Sequence, residues 1–244
     1  MNTDKMNTDR IAKQRLNVIL IVDTSKSMGG NRIQQVNNAI SDIKNKLIDM
    51  QNENANVDFY VTIITFSTEA HLYNNDRMKN VEDLDFQPIK AGGQTNLHLA
   101  YVELKDLLQK EKKGGIMPDF GGVAPIILLL TDGHPGRWPL TDEMNALRQL
   151  PWFNVAIRYG IAIELDDKRT IDVLKDFVGS NGDVITCYNP NLLEKIIKII
   201  ILTTSKVQST NTAIRAKKES VKSVHADVKM QIQESLNDVD NWEW

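Results

Sequence analysis

The chain has 244 residues, 41% apolar and 25% charged, with a formal net charge of −3. That length holds one full domain and an appendage rather than two domains, and the composition is that of an ordinary globular protein. The near-balanced charge supplies no field to draw nucleic acid or an anionic membrane, so neither is expected as a partner.

Residues 1–13 form a polar extension; "MNTDKMNTDR" lacks the apolar core of a signal peptide. "LNVILIV" (16–22) is a continuous apolar run of strand length, as a strand covered on both faces requires. In the stretch 31–50, Ile33, Val36, Ile40, Ile43, Leu47 and Met50 recur at helical spacing. "VDFYVTIITFS" (57–67) is the second strand, and "AHLYN" follows so closely that it must pair antiparallel. Residues 76–94 are irregular, and "TNLHLAYVELKDLLQKEKK" (95–113) is a predicted helix carrying Leu99, Val102, Leu107 and Leu108. "IILLL" (126–130) is a second fully apolar strand, followed by a short helix at 141–150 and the strand "FNVAIRYGIAI" (153–163). A helix over 167–179 stops at Gly179. "DVITCY" is the last strand and 189–205 the last helix of the domain. The lone cysteine, Cys187, has no intrachain partner, which suits a reducing, cytoplasmic setting. No apolar run reaches the roughly 20 residues that cross a bilayer.

Strands alternating with helices predict an α/β domain over 14–205. The expected sheet is doubly wound, mostly parallel and six-stranded, ordered 3-2-1-4-5-6, with one short antiparallel edge strand and helices on both faces. The remaining 206–244 is set apart by few large apolar residues. A thin stripe of Ile214, Val221, Val224, Val228, Ile232, Leu236 and Val239 predicts a weakly helical extension lying on the domain. The sharper alternative is a docking segment anchored by Trp242 and Trp244.

Both fully apolar strands end in an aspartate, Asp23 and Asp132. In that strand order the two ends are neighbours at the switch point, where open α/β sheets bind ligands. Two carboxylates brought together need a cation or a shared proton. Ser25 and Ser27 alternate on the loop after Asp23, and Thr95 follows the flexible Gly92-Gly93. Hydroxyls and carboxylates are hard oxygen donors that suit Mg²⁺ or Mn²⁺, and no Cys/His cluster favours zinc. A structural alternative makes Ser25 and Ser27 turn and N-cap residues for the following helix. A phosphotransferase of the haloacid dehalogenase class needs a second acid two residues after the strand-end aspartate, and Ser25 stands there. Serine hydrolysis needs a histidine base; only His98 and His134 fall near the site, neither with an evident orienting partner. A non-enzymatic protein is therefore expected. The alternatives are a metal-dependent phosphotransferase or hydrolase, and a structural subunit with a degenerate site.

The Asp-x-Ser-x-Ser spacing of "VDTSKSM", with Thr95 and the later Asp132-Gly133, resembles the metal-ion-dependent adhesion site of the von Willebrand factor A family. The resemblance covers about residues 14–205. It implies that Ser25, Ser27 and Thr95 bind a divalent cation directly and that Asp23 and Asp132 act mainly through water. It further implies one position left for an Asp or Glu of a partner protein. The candidate partner-binding rim is Lys26, Met28, Gln94, Asn96, His134 and Arg137, with Trp138 beside it. The size and the "VDTSKSM…TDG" wording look like the bacterial TerY-type proteins of tellurium resistance and stress response. That likeness implies a cytoplasmic scaffold whose partner is a kinase or phosphatase of the same operon.

Overall fold

The structure is a computed structural model that describes residues 13–54, 56–165, 167–210 and 219–240. The extension 1–12, Ile214 and the anchors Trp242 and Trp244 lie outside the described residues. The strands are β1 (Gln14–Asp23), β2 (Val57–Phe66), β3 (Ala70–Leu72), β4 (Lys79–Asn80), β5 (Ile126–Thr131), β6 (Ile157–Ile163) and β7 (Gly182–Cys187). The helices are α1 (Asn31–Glu53), α2 (Leu97–Leu107), α3 (Thr141–Arg148), α4 (Pro151–Val155), α5 (Lys168–Val178), α6 (Leu193–Thr210) and α7 (Glu219–Asp240).

The sheet runs β3-β2-β1-β5-β6-β7, with the two-residue β4 also on β2. β1 pairs parallel with both β2 and β5, and β5, β6 and β7 continue parallel. β3 and β4 are antiparallel to β2, at its C-terminal end and its middle respectively. The sheet thus has seven strands where six were expected. Two residues are too few to leave a periodic signal, and β4 exists because β2 offers a free edge.

The continuous apolar runs follow from two-sided burial. Leu16, Val18, Leu20 and Val22 of β1 pack in one core cluster with α1 and α6, while Ile19 and Ile21 pack in the other with α2, α3 and α5. Successive side chains of a strand point to opposite faces, so a strand covered twice has no room for polar alternation. α6 continues through Ser205 to Thr210, and α7 lies against it. Val224, Val228 and Ile232, spaced four apart, are buried in the α1/α6 cluster.

α2 is shorter than its sequence pattern. It ends at Leu107, and the chain folds back so that Ile116 N donates to Leu107 O at 2.9 Å and Glu111 N to Met117 O at 2.8 Å. Burying Ile116 and Met117 outweighs the helix propensity of "QKEKK". One charge sits inside β6: Arg158 is buried, donates to the carbonyls of Phe153, Phe177 and Val178, and lies over the Phe153 ring. It closes the C-terminus of α5, where cations are favoured, and burial lowers its pKa to about 10.

Candidate metal centre

The parallel register sets Val22 beside Leu130, so β1 and β5 release their chains side by side. Backbone hydrogen bonds then knit three loops together. Thr24 N donates to Phe66 O and Gly92 N to Thr24 O, both at 2.7 Å; Lys26 N donates to Gly93 O and Leu97 N to Pro135 O, both at 3.0 Å. Two of the junctions require glycine. At Gly93 (φ +84°) a Cβ would lie 2.8 Å from Thr68 Oγ1, and at Gly136 (φ +100°) it would lie 2.6 Å from Thr95 O.

Asp23 is fully buried at the back of the crevice. Its Oδ1 accepts from Ser25 N at 2.8 Å and its Oδ2 from Thr131 Oγ1 at 2.6 Å. Burial pushes its carboxyl pKa up; these hydrogen bonds pull the other way, and the neighbouring Asp132 charge adds to the rise. In front of it, Ser25 Oγ and Ser27 Oγ are 3.1 Å apart, and Ser27 Oγ donates to Asp132 Oδ1 at 2.7 Å. Neither serine caps a helix. The 3₁₀ turn Lys26–Met28 follows Ser25 without a side-chain cap, and α1 is entered through Gly30. The hydroxyls face the crevice instead. Thr95 is half-buried on the opposite loop, its Oγ1 3.9 Å from where a Cβ on Gly133 would stand.

Ser25, Ser27 and Asp132 therefore meet directly, Asp23 joins them through Ser25 and Thr131, and Thr95 borders the group. Of the rim residues, Lys26, Gln94, His134 and Arg137 are exposed and Asn96 is half-buried. Met28 is not at the rim. The 3₁₀ turn directs its side chain into the α1/α6 core, where it is fully buried, because an apolar thioether gains more there than in water. The histidines also differ from expectation, since each has a carboxylate neighbour. His98 Nδ1 is 3.1 Å from Glu143 Oε2 and His134 Nδ1 is 3.4 Å from Asp167 Oδ2, contacts that only the packing of α3 beside α2 and of α5 beside the Asp132 loop creates.

Sequence reasoning missed Arg32. Its Nη1 donates to Asp132 Oδ2 at 2.5 Å and to Ser27 O at 2.9 Å, and its Nε reaches Glu164 Oε2 at 2.5 Å. Glu164 follows β6 with φ +48°, a left-handed conformation uncommon outside glycine and asparagine. A signal for Arg32 was present: a cation in the first turn of a helix opposes the helix dipole and needs an acidic partner.

The donor chemistry fits a hard divalent cation, with three hydroxyls and two carboxylates at one crevice. Among the described residues no group of three or more His, Cys, Asp or Glu offers a softer alternative.

An open doubly wound sheet with hydroxyls and carboxylates clustered at its switch point defines the ligand-binding class of α/β domain. The family model of the von Willebrand factor type A domain matches residues 17–199, and the chain belongs to that family, whose members are typically protein-interaction modules. The chain is 30% identical over 141 residues to inter-alpha-trypsin inhibitor heavy chain 4 of Mus musculus, covering 54% of this chain and 14% of that protein. It is 31% identical over 125 residues to heavy chain H4 of Bos taurus, covering 49% and 13%. It thus spans about one seventh of the length of these relatives. Among solved structures, proximal thread matrix protein 1 of the mussel byssus, with a zinc-occupied MIDAS motif, superposes with a TM-score of 0.57 at 19% identity, over 78% of this chain and 48% of that one. The domain of the type V pili tip protein Mfa5 of Porphyromonas gingivalis gives 0.57 at 11% identity, over 80% and 97%. These two likenesses are of fold. No helix among the described residues is long and apolar enough to cross a membrane.

Proposed function

We propose that the protein is a non-catalytic interaction module that captures a partner protein through a divalent cation, Mg²⁺ or Mn²⁺, at Asp23, Ser25, Ser27, Thr95 and Asp132. The observation that supports it is the contact chain Ser25–Ser27–Asp132 in front of a buried Asp23. Both Asp23 oxygens are already engaged by Ser25 N and Thr131 Oγ1, and the carboxylate is closed to solvent. That geometry opposes the phosphotransferase alternative, because no substrate phosphorus reaches Asp23. Neutral hydroxyls as direct ligands leave a bound cation its positive character, which suits an Asp or Glu side chain of the partner. Lys26, Gln94, Asn96, His134 and Arg137 surround that position.

The likeness to TerY-type proteins extends the reading to a cytoplasmic stress-response scaffold in bacteria whose partner is a kinase or phosphatase of the same operon. Calorimetric titration of the chain with Mg²⁺ and Mn²⁺ tests the site, and Ser27→Ala is expected to weaken both. Partner capture in Mg²⁺ should be lost in excess chelator. Capture that persists there sinks the proposal, and a titration without heat favours the degenerate structural subunit.

A further inference from the structure

The positive charge that faces Asp132 in this structure belongs to the chain itself. The Asp132 side chain has no solvent exposure, and its two oxygens accept from Ser27 Oγ and from Arg32 Nη1. The same Nη1 donates to the Ser27 carbonyl at 2.9 Å, so one corner of the guanidinium is tied to both loops of the crevice. The Asp132 charge also acts on the buried Asp23. Two carboxylates so enclosed need a cation, and Arg32 supplies one.

The rest of the guanidinium points elsewhere. Arg32 Nε and Nη2 both reach Glu164 Oε2, each at 2.5 Å. The planar fork therefore stands between two acids, with Asp132 on one side and Glu164 on the other. The two sides are unequal: Asp132 is enclosed, whereas the Glu164 side chain is 33% exposed. Arg32 itself keeps 28% exposure and sits in the first turn of α1, where the helix dipole repels a cation. It is held by these acids and not by its helix.

Glu164 carries a mark of its own. Its φ of +48° is left-handed, and the other non-glycine residues with positive φ among the described ones are Asn74 and Asn75. Asparagine tolerates that region, but glutamate does so at a cost. The conformation is fixed where β6 ends, by Glu164 N donating to Cys187 O at 2.7 Å. A strained residue beside a ligand crevice points to a use for its side chain. The contact its carboxylate makes here is with Arg32.

A divalent cation at Ser25, Ser27 and Asp132 would meet that guanidinium as a like charge on the same carboxylate. The two cannot both be held there at full strength. Because Nε and Nη2 already rest on Glu164, Arg32 can give up Asp132 and the Ser27 carbonyl without losing its second anchor. We infer that Arg32 is a built-in counter-ion that competes with the divalent cation for Asp132, and that Glu164 is the acceptor that draws it away. The pair thereby sets the cation affinity of the centre. This rests on the proposed cation site and names its regulation; Arg32 and Glu164 are positioning residues and not ligands.

The test is calorimetric titration of Mg²⁺ into four full-length chains: wild type, Arg32→Gln, Glu164→Gln and the double variant. Arg32→Gln should bind at least about tenfold more tightly, because the cation no longer displaces a charge-assisted hydrogen bond. Glu164→Gln should bind about fivefold more weakly, the factor that an exposed ion pair supplies at its upper limit. The double variant should match Arg32→Gln, since Glu164 acts only through Arg32. Residues that merely brace the loops would weaken binding in both single variants. Glu164→Gln alters a partly exposed side chain and keeps the fold even where Arg32→Gln does not. Arg32→Gln binding no more tightly than wild type overturns the inference, as does a Glu164→Gln effect that is nil or persists in the double variant. Equal binding by all four chains refutes the inference and leaves the cation site standing, whereas binding by none refutes both.

Discussion

Replacing Arg32 by glutamine removes the one guanidinium that bridges Asp132 and Glu164. The Asp132 side chain is fully buried, so its carboxylate loses a charge-assisted hydrogen bond worth about 1.5–3 kcal/mol with no water to replace it. The Glu164 side chain is 33% exposed and its pair adds at most about 1 kcal/mol. A total near 3 kcal/mol lowers the melting temperature by roughly 9 °C in a domain of this size. The assay is thermal unfolding in chelator and in a Mg²⁺ series. In chelator, Arg32→Gln should show the full loss. With Mg²⁺ the gap to the wild type should close, because a dication at Ser25, Ser27 and Asp132 takes over the neutralisation and stabilises the folded state by mass action. A variant as stable as the wild type in chelator would show that Arg32 does not hold Asp132. A gap that Mg²⁺ leaves unchanged would refute cation binding beside that carboxylate.

Three further outcomes follow from buried or capped groups. Val228→Ala should cost about 2 kcal/mol by leaving a cavity under α7, seen as a melting temperature lowered by roughly 6 °C; an unchanged melt would mean that α7 does not pack on α6 in solution. Asp167 caps α5 through Thr170 N at 2.8 Å, and that hydrogen bond, with the one from the Thr170 hydroxyl, holds its carboxyl below the ordinary 3.8. Its contribution is thus complete above pH 3.8 and disappears as the pH falls through the depressed value. The stability difference between wild type and Asp167→Asn should shrink over that acid range, and a difference that grows there would contradict the cap. Cys187 is buried with its thiol raised from 9.0 to about 11. A disulfide reagent at pH 8 should react on the order of a hundredfold more slowly with folded than with denatured chain, following the thiolate fraction. Equal rates would place the thiol in solvent.

The local pattern determined the parallel strands of the sheet, though not the two-residue β4. A strand covered on both faces must be apolar throughout, and "LNVILIV" and "IILLL" carry that demand in every residue. Chain order and the handedness of the crossovers then bring Asp23 and Asp132 to neighbouring strand ends, so the place of the crevice follows from the sequence. Only the tertiary structure decided what surrounds it. Arg32 reaches Asp132 across 100 positions of chain and Glu164 across 132. Met28 turns into the core although Lys26, Ser27, Gly29 and Gly30 around it are exposed. The same holds for Arg158 at the end of α5, for the early stop of α2 and for the carboxylates beside His98 and His134. For Arg32, Arg158, His98 and His134 a deciding partner belongs to another element of the fold, whereas α2 is stopped by the local return of Ile116 and Met117 onto it. Periodicity reports which face of a segment is apolar, but not which polar group another segment will place against it. That depends on how helices seat on the sheet, and the energy that settles it comes from packing and desolvation across the whole domain.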